Sequence, residues 1–320
     1  MVTANAKAVS KPRSGWSARL RKGLKVRGRA WQLYLMLIPA VVYILVCAYK
    51  PMGGIVIAFK DYNMRLGIWA SEWTGLDNFL RLFRSYWFPV ILKNTLSISL
   101  LSLVLGFPFP ILLALMFNEV EHKGLQQTLQ TVGYAPHFIS TAVICGMLTL
   151  FLSPTNGIVN IIIQKLGGES VFFLQDPAAF KWIYVVSGIW QSVGWSSIIY
   201  FAALSGVDKS LHEAAEIDGA NRIQKIIHIN LPVLVPTIVV LLILQCGQLL
   251  SLGYEKVYLL QTKPNLSGSE VISTYVYKVG LEQMDFAFST ATGIFNSVVN
   301  SAILIIANTV SSKVSKSALW

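Results

Sequence analysis

Charge is what this chain has least of. Only 13% of its 320 residues are Asp, Glu, Lys or Arg, against 54% hydrophobic, and its mean hydropathy is +0.58. A soluble domain carries roughly a quarter charged residues, so the composition excludes an ordinary soluble globule. Cysteine is scarce as well. Cys47, Cys145 and Cys246 lie far apart, each inside an apolar stretch, which excludes a disulfide framework or a cysteine metal site and fits small core residues. The histidines His122, His137, His212 and His228 show no His-x-x-x-His spacing, so no metal site is expected. No Gly-Lys dipeptide occurs anywhere. The chain therefore has no Gly-x-x-x-x-Gly-Lys loop to cradle a nucleotide's phosphates.

What is present is a set of long apolar runs, at 31–49, 93–117, 135–152, 182–204, 233–253 and 288–311. A helix crosses a hydrocarbon core with about 20 apolar residues, so the runs predict an all-α integral membrane protein with about six transmembrane helices. Apart from Lys93, which opens the second run, none contains Asp, Glu, Lys or Arg. Ion-coupled transporters place ionisable groups inside the membrane, so an ion-driven mechanism is disfavoured. The net charge of +11 would raise nucleic acid as a partner in a soluble protein. Here nine of the 26 Lys and Arg precede Trp31, and no nucleic-acid partner is expected. Residues 1–30 are read as a basic segment that holds the N-terminus in the cytoplasm. A signal peptide has a shorter charged region and is not followed by five more spans. Six spans put both termini inside, with 15 Lys and Arg inside and 11 outside.

Two connections fall outside the membrane. One, from Lys50 to Phe88, carries Trp69, Trp73 and Trp87; the other, 254–287, carries Tyr254, Glu255, Tyr258, Tyr275 and Tyr277. Such aromatics either anchor the protein at the headgroups or form docking surfaces. Lys50, Lys60, Arg65, Arg81, Arg84, Lys256, Lys263 and Lys278 on this side would favour a polyanionic solute. Ordinary solvated loop charge, with Asp61, Glu72 and Asp77 nearby, is the plainer alternative. Within the runs, Gln191 and Trp195, Gln245 and Gln248, and Asn296 and Asn300 share helical faces. They either bond helix to helix or line a path for a polar solute. Gly106, Pro108 and Pro110 interrupt the second run and predict a kink.

The polar island 205–232 is the one long connection between apolar runs on the inner side. Leu211, Ala214, Ala215 and Asp218 fall at helical spacing, as do Ile223, Ile226, Ile227 and Asn230, with Gly219 between the two sets. This predicts two short helices at an angle. Asp208 suits an N-cap, and Asp218 is expected to hold the bend by accepting backbone amides. Small residues on the first helix would let a partner approach closely, with Glu213 and Asp218 as anchors; a plain solvated helix is the alternative.

Glu213-Ala214-Ala215, then Asp218-Gly219-Ala220, then Ile229-Asn230-Leu231-Pro232 resemble the EAA loop of the membrane subunits of bacterial ABC importers. Ile226 stands where that family usually shows Phe, and Val207-Asp208 where many members have Ile-Pro. The resemblance covers nearly all of residues 30–315. It implies the ABC importer permease (MetI-like) fold in the inner membrane, with Glu213, Ala214, Ala215, Asp218, Gly219 and Ala220 on a cytoplasmic coupling helix. It implies a non-catalytic subunit working with two ATP-binding subunits that carry ATP and Mg, a second, different permease and an extracytoplasmic solute-binding protein. A carbohydrate path would then use Gln191, Trp195, Gln245, Gln248, Asn296 and Asn300. Within the family the chain resembles importers of acidic, alginate-type polysaccharide, and that substrate class rests on the resemblance alone. The rival reading is a non-transporting receptor or scaffold that uses residues 213–220 to hold a cytoplasmic partner.

Overall fold

In lipid a backbone must satisfy its own polar groups, and helix does so within one segment. The computed structural model describes residues 31–314 and bears this out along most of the chain; the basic segment 1–30 and Lys316 lie outside the described residues. The described residues fall into two units, divided between Val56 and Ile57. In the first, α1 (Trp31–Ile44) runs through a π-turn at Leu45–Tyr49 into Lys50–Met52. Its described side chains are exposed.

The second unit opens on a small exception to the all-helical expectation. β1 (Lys60–Asp61) pairs antiparallel with β2 (Glu72–Trp73). Phe59 stacks on Trp73 at 5.7 Å, and the Asn78 amide ties the ribbon down by donating to the Ala58 and Lys60 carbonyls. After α2 (Asp77–Arg84), α3 (Trp87–Gly106) and α4 (Pro108–Asn118) join as one helix of 32 residues. Pro108 opens α4 rather than ending the span, because proline's fixed φ suits a first helical position.

The run 135–152, expected as a span, is interrupted by a sharp bend. α5 (Lys123–Tyr134) and the 3-10 turn Ala135–Phe138 meet α6 (Thr141–Phe151) at 92°. Ser140 is the cause: its backbone is extended (ψ 149°) and its hydroxyl accepts from the Val143 amide, which starts a new helix. α7 (Ile158–Lys165) follows. Next come α8 (Pro177–Leu204), α9 (Lys209–Ile217), α10 (Arg222–Lys225) and α11 (Leu231–Cys246), the last ending short of the expected 253. α12 (Tyr254–Leu260), α13 (Ile272–Tyr277) and α14 (Phe286–Val314) complete the described chain. Among the described residues four helices are long and apolar enough to cross a membrane: Tyr34–Phe59, Trp87–Asn118, Arg222–Cys246 and Phe286–Lys313. The bent pair makes a fifth if it is one span. α8 is long enough at 28 residues, but Ser187, Gln191, Ser192, Ser196 and Ser197 make it more polar.

α8 is the central post, packed on α3, α4, α5 and α11. One core gathers Ile98, Cys145, Phe180, Val185, Val257, Leu260 and Val271. Another gathers Ala114, Leu115, Tyr200, Leu204 and Leu234. Between lipid-soluble helices association depends on close packing of small residues. Gly194 shows how close: a β-carbon there would collide with the Gly133 carbonyl on α5.

Candidate functional site

Short-range bonds shape the polar island between α8 and α11. Asp208 accepts from the Ser210 amide at 3.0 Å and caps α9, and that bond holds its carboxyl below the usual range. At the other end Gly219 takes a left-handed φ of +77°. The Ala220 amide donates to the Ala215 carbonyl at 2.8 Å and the Gly219 amide to Glu216 at 3.0 Å, the paired bonds with which a glycine stops a helix. The Asp218 carboxylate takes no backbone amide in this bend, so the expected role for it is replaced by these backbone bonds. Asn221 and Gln224 then accept from each other's amides at 2.9 and 2.8 Å, a capping box.

Nor is the second helix short. α10, a π-turn at Ile226–Asn230 and α11 make one helix, Arg222–Cys246. The π-turn gives the Leu231 amide the Ile226 carbonyl just ahead of Pro232, which has no N–H to offer. Ile226 packs on the core formed by Ala114, Tyr200 and Leu234, so an aliphatic side chain fills its place well. Across the bend Lys225 bridges to Glu216 at 2.6 Å, and that cation holds the Glu216 carboxyl below its usual range. Sequence reasoning missed this pair, since nine residues across a glycine bend is no helical spacing.

No residue of α9 is buried. Glu213, Ala214, Asp218 and Gly219 are exposed, and Ala215 and Ala220 half-buried. Ala215, Asp218, Gly219 and Ala220 share a recess of about 310 Å³ with Lys225 and His228. Ile217 beside it is 87% exposed.

The second feature is a partly open cavity of about 510 Å³ bounded by α3, α8 and the end of α11. Its polar wall is Ser99, Ser102, Ser192, Ser196, Gln245 and Gln248, with Tyr184 and Gly188 alongside. The Ser99 hydroxyl is buried without a partner. No carboxylate, ammonium or guanidinium lines the space. Amides and hydroxyls pointing into a concave space are the groups that orient a neutral polar ligand. The serines gave no signal in sequence, because a helical serine usually bonds its own helix, as Ser192 does to the Gly188 carbonyl.

The remaining expected path residues divide. Trp195 lines an adjoining, more apolar hollow of about 580 Å³ with Gln245, Phe107 and Tyr200, its ring stacked on His137 at 4.6 Å. Gln191 donates to the Ile139 carbonyl at 3.1 Å and so braces the break before α6. Asn300 is buried, donating to Ser251 at 2.8 Å and accepting from the Leu250 amide at 2.9 Å, which pins the non-helical stretch after α11 to α14. Asn296 lines a separate hollow with Tyr254, Tyr277 and Phe286. Gln245 and Gln248 are thus brought together with Trp195 adjacent, while Gln191, Asn296 and Asn300 lie elsewhere.

The cations of segments 50–88 and 254–287 are less free than their sequence positions imply. Lys60 is buried and donates to the Ile68, Trp69 and Ser71 carbonyls. Arg81 pairs with Asp285 at 2.6 Å, Lys278 with buried Glu270 at 2.6 Å, and Lys256 is buried. Of the tyrosines in 254–287, Tyr254 stacks on Tyr277 at 5.0 Å. The Tyr258 hydroxyl donates to Glu282 at 3.1 Å, which raises its pKa.

Residues 99–316 match the family described as binding-protein-dependent transport system inner membrane component. The polygalacturonan/rhamnogalacturonan transport system permease protein YteP of Bacillus subtilis (strain 168) is 44% identical over 288 residues, 90% of each chain. Protein LplB of the same organism is 40% identical over 305 residues, 95% of this chain and 94% of that one. A chain of a bacterial alginate ABC transporter, solved in complex with alginate pentasaccharide-bound periplasmic protein, superposes with a TM-score of 0.84 at 43% identity. That match covers 92% of this chain and 99% of that chain. The helical bundle, the exposed EAA helix and these likenesses agree: the chain belongs to the inner-membrane components of binding-protein-dependent transport systems, as a multi-pass permease of MetI-like fold.

Proposed function

We propose that this permease is one membrane half of an ATP-driven importer of acidic oligosaccharides, of the alginate and polygalacturonan kind, with both termini in the cytoplasm. One observation carries the mechanism. The helix Arg222–Cys246 begins at the coupling loop and ends with Gln245 in the cavity wall. Twenty-five helical residues span roughly 37 Å at 1.5 Å per residue, so a push at one end moves the other.

The chain has no phosphate-binding loop, and in this reading hydrolysis of ATP with Mg belongs to two partner subunits. α9 docks on one of them through Glu213, Ala214, Ala215, Asp218, Gly219 and Ala220. A homologous second permease completes the path, and a solute-binding protein delivers sugar to the outer side. Gln245, Gln248 and the serines then exchange hydrogen bonds with sugar hydroxyls. A scaffold without transport would leave that cavity unexplained.

The test is the complete transporter reconstituted in vesicles. Gly219→Leu should abolish ATP-driven uptake of an oligogalacturonate while the permease still inserts. Gly167→Leu is the control: it has a comparable φ of +87° and open space around it, and should retain uptake. Equal uptake by the two variants would overturn the coupling role of α9.

A further inference from the structure

Three lysines on the outer side are withdrawn from solvent, and one of them lacks adequate partners. Lys60 has three carbonyls; Lys278 has Glu270 and Gln261. Lys256, at the start of α12, is 8% exposed and forms no ion pair among the described residues. Its Nζ donates to the Tyr184 carbonyl at 3.0 Å and lies 4.9 Å from the centre of the Tyr184 ring. An ammonium carries three N–H donors, and an ammonium buried without a counter-ion is costly. Burial pushes its pKa down to about 8, which leaves it mostly protonated at neutral pH. Cys145 bonds to the Lys256 backbone carbonyl and brings no fixed charge.

The free side of this ammonium faces Gly188. A β-carbon at that position would sit 3.4 Å from Nζ, and both Gly188 and Tyr184 line the 510 Å³ cavity. A glycine there leaves a gap between a buried cation and a space otherwise walled by uncharged groups. A hydroxyl and amide wall alone cannot tell an acidic sugar from a neutral one. We propose that Lys256 is the specificity-determining residue of the path: the carboxylate of a uronate unit enters beside Gly188 and accepts a hydrogen bond from its Nζ. Gln245, Gln248 and the serines meanwhile hold the hydroxyls. The inference rests on the importer reading and adds to it the group that selects charge.

The experiment uses the complete transporter in vesicles, with binding protein in excess. It compares uptake of trigalacturonate with uptake of its neutral methyl ester. Lys256→Met keeps the apolar stem and removes the charge; Gly188→Val keeps the lysine and fills the gap. A hydrogen bond to a charged group is worth about tenfold or more in binding. Each variant should therefore lower the acid-to-ester uptake ratio by about tenfold. An unchanged ratio, or equal loss of both sugars, overturns the role of Lys256 while leaving the importer standing. If the unaltered transporter hydrolyses ATP yet takes up neither sugar, the importer reading itself falls and this inference with it. Should Lys256→Met fail to assemble, Gly188→Val alone decides.

Discussion

The loop 208–225 and the segment 254–285 are both polar connections, and they are built in opposite ways. Apart from the exposed Arg222–Glu121 pair, the bonds of 208–225 join residues close in sequence: Asp208 to Ser210, Ala215 to Ala220, Asn221 to Gln224, Glu216 to Lys225. In 254–285 local bonds are joined by others that reach across the chain. The Asn94 amide donates to the Ser267 and Glu270 carbonyls, and the Ile272 amide donates to the Thr95 hydroxyl, each pair more than 170 residues apart. Buried Asn265 donates to the Leu174 and Leu260 carbonyls and accepts from the Thr262 amide and the Ser269 hydroxyl. One region is a self-contained hook on a helix end. The other is mortar between α3, α8 and α13. The loop leaves its polar groups exposed, as the proposed docking would require, and a cap that fixes helix spacing buries them.

The sharpest way to break that contrast is stability. Asn265→Ala strands several buried donors and acceptors at once, each costing about 1–3 kcal/mol. It should therefore lower stability in detergent by about 3–5 kcal/mol. Glu213→Ala on exposed α9 should shift it by no more than about 0.5 kcal/mol. Thermal denaturation followed by circular dichroism compares the two, and similar losses would erase the distinction.

A middling effect is expected at Gly219. Its φ of +77° costs a residue with a β-carbon about 1–2 kcal/mol, and among the described residues no atom beyond its chain neighbours lies within 4 Å of that β-carbon. Gly219→Ala should lower stability by about 1 kcal/mol. Gly194→Ala, which meets the Gly133 carbonyl, should cost several times more. If Gly219→Ala proves as damaging as Gly194→Ala, the loop is not the lightly packed hook described.

This contrast also explains what could be read from sequence. Asp208, Gly219 and Asn221 shape the loop through neighbours a few residues away, so their residue types announce their roles. Gln191 and Gln248 are the same amide in apolar helices, yet one braces the Ile139 carbonyl and the other faces a cavity. Only the packing of α8 against its neighbours separates them. The break at Ser140 was hidden because Ala135–Leu152 reads as one apolar run, and a single hydroxyl cap decides it. The burial of Lys256 was hidden as well, since a lysine in a loop reads as solvated until the helices around it are placed.

The smallest expected effect is a matter of pH, and it sets the two regions apart by direction. Asp208 and Glu216 have carboxyls held below their ordinary range, by the Ser210 amide and by Lys225 respectively. A lowered folded-state pKa stabilises at pH values above the ordinary carboxylate range, and that contribution is lost as pH falls through the lowered value. The Tyr258 hydroxyl is raised, first by its bond to Glu282. Its contribution is whole below the ordinary phenol value and is lost as pH rises through the raised one. Acid should therefore loosen the loop 208–225 first, and alkali the Tyr258–Glu282 contact. Hydrogen exchange, corrected for the intrinsic rate at each pH, should show amide protection at Ser210 and Lys225 falling a few-fold on the acid side. Protection around Tyr258 and Glu282 should hold there and fall only at high pH. Glu216→Gln should remove the acid response at Lys225 while leaving that at Ser210, because the first depends on the ion pair and the second on the Asp208 cap. Both regions loosening together at one pH would mean that they open as a single unit, and the separation drawn between hook and mortar would fail.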